Sequence, residues 1–215
     1  IRKFATSLSK ENYILLYLSD SKLTPRWFYK GMLDQLGIES KFYRGDAKRQ
    51  LQKEIELLRG VQGKRVVCVL DEAHLLEKET IEEFRFLLNY RFDSMSPLAL
   101  ILVGQTELWD EKLRLKRYAA VRQRIDINCI LTPLDRSETE QYVRSHIKYS
   151  GCTRELFTAR ALDELYKTST GIPRIINRIC EKALMYAYQQ DHKLIDDHEI
   201  TFVIEHEMLE GGDAA

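Results

Sequence analysis

Proline is scarce in this chain of 215 residues, with four in all, and so is cysteine, also four. Cys68, Cys129, Cys152 and Cys180 form no CxxC pair and no metal-ligand cluster, which excludes a zinc ribbon or a dithiol redox motif. Cys68 and Cys129 fall in apolar, strand-like runs, where reduced core thiols are expected. Such usage fits a reducing, cytoplasmic compartment. No apolar run approaches the ~20 residues of a membrane-spanning helix, so no membrane segment is expected. An excess of charge is lacking too: Lys+Arg and Asp+Glu balance at 33 each. Net charge therefore gives no support for nucleic-acid or membrane binding, and any such site must be a local patch. What is present, 44% hydrophobic and 31% charged residues, suits one large globular domain or a large and a small one.

The order of elements can be read from periodicity. In "IRKFATSLS", Ile1, Phe4, Ala5 and Leu8 share one helical face with no capping residue before them, as if a helix were already under way at residue 1. Residues 12–20 are apolar and strand-like. Thr24 suits an N-cap, Pro25 a first helical position and Gly37 a stop. A charged amphipathic helix is expected over 46–60, with Leu51, Ile55 and Leu58 inward. Strands are expected at 65–70 and 98–105, with a helix at 78–92 between them that turns Ile81, Phe84, Leu87 and Leu88 inward. A third apolar strand is expected over 124–134, from the alternation Ile125, Ile127, Cys129. Strands alternating with helices imply a parallel sheet covered on both faces, which accounts for unbroken apolar runs. Beyond Pro133 only helices are expected. A capping box in "SETE" (Ser137 to Glu140) starts the first and Gly151 stops it. Thr158 caps a second that ends near Gly171, residues 173–190 make a third, and Asp196 or Asp197 starts a fourth. The expected organisation is an α/β part over 1–134, a helical part over 135–210 and a tail over 211–215.

The stretch "VVCVLDEAHLL" ends a buried-looking strand on two carboxylates, Asp71 and Glu72. In an open parallel sheet, ligands bind beyond the carboxyl ends of the strands. A strand of the form hhhhDE is the Walker B pattern, in which the Asp helps hold Mg²⁺ and the Glu orients and deprotonates water. Acids at the start of a following helix are the alternative reading. The next apolar strand, "LILVGQT", also ends on a polar residue, Gln105, which would either sense a γ-phosphate or lie solvated in a loop. From Glu111 to Arg124 there are six basic residues against one acid, and these include Arg122 and Arg124. In "GIPRIINR", Arg174 falls in the first turn of a helix. A cation there opposes the helix dipole, and a bound phosphate would justify it.

In order and spacing, "VVCVLDEAHLL", "LALILVGQTEL", "RQRI…LTPLDRSETEQYV" and "STGIPRIINRICEKAL" resemble AAA+ ATPases of the ExeA-like group. That group includes secretion-associated ATPases and the ATPase subunits that accompany DDE transposases, related to TnsC and MuB. The resemblance covers essentially the whole chain. It implies a parallel-sheet P-loop α/β core and a C-terminal four-helix lid, with ATP and Mg²⁺ as cofactors. By position it implies Asp71 as the magnesium residue, Glu72 as the catalytic glutamate and Gln105 as sensor 1. It makes Arg124 the arginine finger, with Arg122 as competitor, and Arg174 sensor 2. A finger acts on a neighbouring subunit's ATP, so a homo-oligomeric ring or filament is implied.

One departure from the family is large. No Gly-rich GxxxxGK[ST] loop occurs. "GVQGKR" (60–65) has the wrong glycine spacing, no Ser or Thr after Lys64, and precedes a strand. The expectation is that the phosphate loop and the sheet's first, central strand lie upstream of Ile1. The leading expectation of function is an ATP-dependent regulator of DNA transposition that binds double-stranded DNA and recruits or activates a transposase. Lys22, Arg26, Arg44, Lys48 and Arg49 are its candidate DNA contacts, each also readable as a solvated surface charge. The alternatives are a secretion-associated ATPase at the cell envelope and a non-hydrolysing scaffold.

Overall fold

A computed structural model describes residues 1–20, 23–88 and 98–207. They form two compact units, divided between Ile130 and Leu131, a few residues before the expected boundary.

The first unit is built on three parallel strands in the order β1-β2-β3: β1 (Tyr13–Leu18), β2 (Arg65–Leu70) and β3 (Leu98–Leu102). A short helix α1 (Arg2–Ser7) precedes β1, and no residue of it is buried. The apolar face read from Ile1 and Phe4 is uncovered among the described residues. Helices α2 (Pro25–Gln35) and α3 (Arg44–Gly60) connect β1 to β2, and α4 (Lys78–Leu88) leads towards β3. The remainder of the expected 78–92 helix lies outside the described residues, as does the side chain of Leu88. Thr24 and Pro25 start α2 as expected, although the Thr24 side chain makes no capping bond. Gly37 terminates the helix at φ +76°, a backbone region that disfavours a Cβ.

Middle strand β2 is buried from Val66 to Leu70; a strand pairs with each of its edges, and Val66, Cys68 and Leu70 join the main core. Cys68 is part of that core, and burial pushes its thiol up to about 12. Leu51, Ile55 and Leu58 of α3, with Ile81, Phe84 and Leu87 of α4, pack into the same cluster. Edge strand β1 is secured by a side chain: the Gln35 carboxamide accepts from the Tyr17 N–H (2.9 Å) and donates to the Tyr17 carbonyl (2.7 Å).

The strand expected over 124–134 does not form. A short helix α5 (Ala119–Arg122) ends there, and the chain runs on without a ladder partner among the described residues. Ile127, Ile130 and Leu131 are exposed, and so is Cys129, so the expected core thiol lies at the surface. Alternation alone does not make a strand; the N–H and C=O groups also need a neighbour to bond.

The second unit holds four helices among its described residues: α6 (Arg136–Tyr149), α7 (Ala159–Ser169), α8 (Pro173–Gln189) and α9 (Asp197–Glu207). The capping box starts two residues earlier than read. Asp135, not Ser137, is the N-cap: it accepts from the Glu138 N–H (2.7 Å), while Glu138 accepts from the Asp135 N–H (2.9 Å). Thr158 caps α7 as expected, accepting from the Ala161 N–H. The core comprises residues such as Leu162, Leu165, Ile176, Ile179, Ile200 and Val203.

Candidate functional site: the carboxyl rim of the sheet

Backbone hydrogen bonds continue past the strand ends and carry the acidic pair onto the rim. The Asp71 N–H donates to the Leu18 carbonyl, Val103 N–H to Leu70, and Ala73 N–H to Val103, each at 2.8 Å. Asp71 follows β2 directly and is half-buried. Its Oδ1 accepts from the Glu72 N–H at 3.0 Å, and its Oδ2 accepts from the Tyr17 hydroxyl at 2.5 Å. Register explains the second contact. Tyr17 lies opposite Val69, and Asp71 is two residues further on the same face. The Tyr17 pKa lies above the usual tyrosine value, chiefly because its hydroxyl donates to Asp71, with desolvation and the neighbouring negative charges adding to the effect.

Glu72 takes the left-handed backbone region at φ 52°, which costs a non-glycine residue on the order of 1 kcal/mol. The turn delivers the chain into a 3₁₀ turn, Ala73–Leu75, and leaves the Glu72 carboxylate half-exposed. His74, almost buried, places Nδ1 3.5 Å from Glu72 Oε2, and the Gln105 N–H donates to that same nitrogen over a long 3.4 Å. Gly104 makes the approach possible: a Cβ there would lie 2.9 Å from the His74 N and 3.3 Å from its Nδ1. From a π-helical turn, Leu108–Leu113, Lys112 donates to the carbonyls of His74 and, at 2.9 Å, Leu76.

Asp71, Glu72 and the backbone of Gln105 thus meet at one rim, with Tyr17 bonded to Asp71 and His74 between Glu72 and Gln105; the sequence reading passed over both. The imidazole two residues after Glu72 in "DEAH" was a signal available in the sequence; Tyr17 was not, since its role depends on strand register. Arg122 and Arg124 lie in the same unit and bond backbone carbonyls: Arg122 Nη1 donates to Leu113 (2.8 Å) and Arg124 Nη1 to Ala120 (2.7 Å). Arg174 belongs to the second unit, exposed in the first turn of α8. Of the proposed DNA contacts, Arg44 and Lys48 pair with Glu83 (3.1 and 3.3 Å) and Arg49 with Asp46 (2.6 Å). Arg26 is exposed, and Lys22 lies outside the described residues.

The donor set fits Mg²⁺ in part. Magnesium is commonly held by one or two carboxylates together with waters and substrate phosphates, which matches a single strand-end Asp. Among the described residues no three His, Cys, Asp or Glu side chains form a metal cage. The 215 residues contain no GxxxxGK[ST] sequence.

A parallel sheet flanked by helices, with an Asp-Glu pair beyond its middle strand and a polar residue beyond the next, has the form of an open α/β sheet that binds ligands beyond its strand ends. The AAA domain family model matches residues 1–111. General secretion pathway protein A of Aeromonas hydrophila is 33% identical over 186 residues, or 84% of this chain. The chain therefore belongs to the AAA domain family. It spans about a third of that relative's length (33%). Among solved structures, Drosophila ORC bound to DNA aligns with TM-score 0.66 at 16% identity, over 97% of this chain and 49% of that one. Cdc6p from Pyrobaculum aerophilum aligns at 0.63 and 16%, over 84% and 49%. The RuvB Holliday junction branch migration motor of Thermotoga maritima gives 0.52 and 16%, over 91% and 61%. These likenesses show an AAA+ fold. Among the described residues no helix is long and apolar enough to cross a membrane.

Proposed function

We propose that this chain acts in an ATP-hydrolysing AAA+ switch. The observation that carries the reading is the meeting of Asp71, Glu72 and Gln105 at the carboxyl rim, with the Glu72 carboxylate half-exposed. In it, Asp71 would help hold Mg²⁺, which neutralises developing phosphate charge when bound. Glu72 would orient and deprotonate water, and Gln105 would report on the γ-phosphate. Arg124 or Arg122 would reach a neighbouring subunit's ATP once released from its backbone carbonyl, coupling turnover to a homo-oligomeric ring or filament. Arg174 would contact phosphate from a helical lid.

Two settings suit such a switch. The secretion-pathway relative supports an ATPase associated with secretion at the cell envelope. Regulation of DNA transposition, with an oligomer on double-stranded DNA that recruits or activates a transposase, has the support of the motif resemblance. The first test is ATP turnover by protein that binds ATP, with and without Glu72→Gln. A loss of about 10²-fold or more at unchanged ATP affinity is expected of a catalytic base. Unchanged turnover would overturn the assignment of Glu72 as the catalytic base, whereas ATP binding without turnover by the unaltered protein would leave the non-hydrolysing scaffold as the better account. A pull-down for secretion components against a transposase then separates the two settings.

A further inference from the structure

Helix α2 has two unlike faces. Phe28, Tyr29, Met32 and Leu33 are buried in the core. Arg26, Trp27 and Lys30 point the other way, and the connection to α3 brings Phe42 and Tyr43 beside them. Trp27 is 50% exposed, Phe42 67% and Tyr43 71%. The Arg26 guanidinium lies 4.2 Å from the Phe42 ring centroid and 5.8 Å from that of Trp27. Lys30 Nζ sits 4.8 Å from the Trp27 centroid, and Phe42 meets Tyr43 edge to face at 5.3 Å. Five side chains form one continuous surface in which cations alternate with rings.

Three large rings held in water forgo the stabilisation of burial, so a contiguous set of them marks a contact surface. Ion pairing does not account for the cations either. Among the described residues neither Arg26 nor Lys30 has a carboxylate within ion-pair distance, in contrast to Arg44, Lys48 and Arg49 nearby. The first turn of α2 adds field of the same sign: it contains no acid, and Thr24 does not cap it with its side chain.

We propose that this surface binds single-stranded nucleic acid, with unpaired bases stacked on Trp27, Phe42 and Tyr43 and phosphates set against Arg26 and Lys30. A strand alternates base and phosphate, and the surface alternates ring and cation. Every base has a π-face, so such stacking tolerates any sequence. Duplex DNA keeps its bases stacked inside and would use the cations alone. A protein partner would match an apolar centre with a charged rim, and here the charges lie between the rings. The inference extends the DNA-directed reading and rests on it only for the class of partner; ATP hydrolysis does not enter.

Trp27 and Trp109 are the two tryptophans, so Trp109→Phe leaves Trp27 as the sole indole reporter. This variant is titrated with single-stranded DNA, single-stranded RNA and duplex DNA of equal length, following Trp27 emission and the anisotropy of labelled strands. Single strands are expected to quench Trp27 and duplex is not; the tighter of DNA and RNA identifies the source. For two phosphate contacts, affinity should fall about seven-fold between about 50 and about 200 mM salt. Phe42→Ala and Tyr43→Ala should each weaken binding about five-fold or more, with circular dichroism unchanged. Equal binding of duplex without quenching, or affinity unmoved by both alanine variants, would overturn the proposal in favour of a phosphate-only surface. Failure to bind any strand would overturn it in favour of a protein partner. A separate nucleotide titration decides the ATPase reading, so neither failure is mistaken for the other.

Discussion

Tyr17 and Asp71 meet across neighbouring strand ends, the phenol donating to Asp71 Oδ2 over 2.5 Å. Tyr17 is itself held through both its backbone groups by Gln35, so the contact is built from the edge of the sheet inwards. A metal ion bound by Asp71 would compete with that hydroxyl for the same oxygen. Tyr17→Phe is therefore expected to lower the Mg²⁺ concentration for half-maximal ATP turnover, by about three-fold or more for a charge-assisted bond. A Mg²⁺ titration of turnover checks this, and a raised requirement would show that the hydroxyl positions Asp71 instead of competing for it.

His74 presents one nitrogen to two partners, the Glu72 carboxylate at 3.5 Å and the Gln105 N–H at 3.4 Å. If Nδ1 accepts from Gln105 it carries no proton for Glu72; if protonated, it can donate to Glu72 and loses Gln105. This choice ties the acidic rim to the end of β3. His74→Ala is expected to reduce turnover roughly ten-fold or more, as when an orienting partner is lost, while ATP affinity changes less than about two-fold. Equal losses in both would assign His74 to packing.

Gly104→Ala tests the same contact from the other side. Its Cβ would come 2.9 Å from the His74 backbone nitrogen, a rigid neighbour. Displacement of the 3₁₀ turn and about 1–3 kcal/mol of destabilisation are expected, measured by denaturant unfolding of the first unit.

Tyr29 donates to Glu83 at 2.5 Å inside the core, where Arg44 and Lys48 also reach that carboxylate. Burial first, and the bond to Glu83 second, hold its pKa well above the ordinary value near 10. Because the folded value is the raised one, the stabilisation is complete below about pH 10 and is lost as pH rises towards the folded value. Tyr29→Phe is expected to cost about 1–2 kcal/mol. That cost should be flat from neutral pH to about pH 9 and shrink at more alkaline pH, as unfolding midpoints of the two proteins across pH would show.

Strands β1 and β2 were legible because both are nearly unbroken apolar runs, and the ends of helices α2, α6 and α7 were legible because Gly37, Gly151 and Gly171 follow them with positive φ. The acidic pair stood out because two carboxylates, Asp71 and Glu72, directly follow a buried apolar run, although acids before a following helix read the same way. Residues 124–134 misled because Ile125, Ile127 and Cys129 keep the period of a strand while ladder partners are not a property of sequence. Asp135 was missed as a cap because Ser137 offers the same box two residues on; the aspartate wins by accepting from Glu138 directly. Tyr17 was missed because its partner lies 54 residues away and is set by register; His74 stood in view two residues after Glu72, and only its contact with Gln105, 31 residues away and dependent on Gly104, was beyond sequence.

Gly171 is the firmest steric statement in the second unit. It adopts φ +77°, and its carbonyl accepts from the Leu134 N–H at 2.9 Å, tying the turn before α8 to the residue that precedes the Asp135 cap. A Cβ at this position would lie 1.8 Å from the Leu134 carbonyl oxygen. Neither the backbone angle nor the overlap can be relieved by a rotamer change, because the obstacle is main chain. Gly171→Ala is therefore expected to destabilise the second unit by at least about 2 kcal/mol, more than a left-handed alanine alone would cost. Gly151→Ala is the internal control: its φ is +87° but nothing lies within 4 Å of the added methyl, so about 1 kcal/mol is expected there. Thermal unfolding of the two variants checks the difference. If the two losses proved equal, the Leu134–Gly171 contact would not be a constraint on this unit, and the geometry of the turn leading into Arg174 would have to be set by other residues.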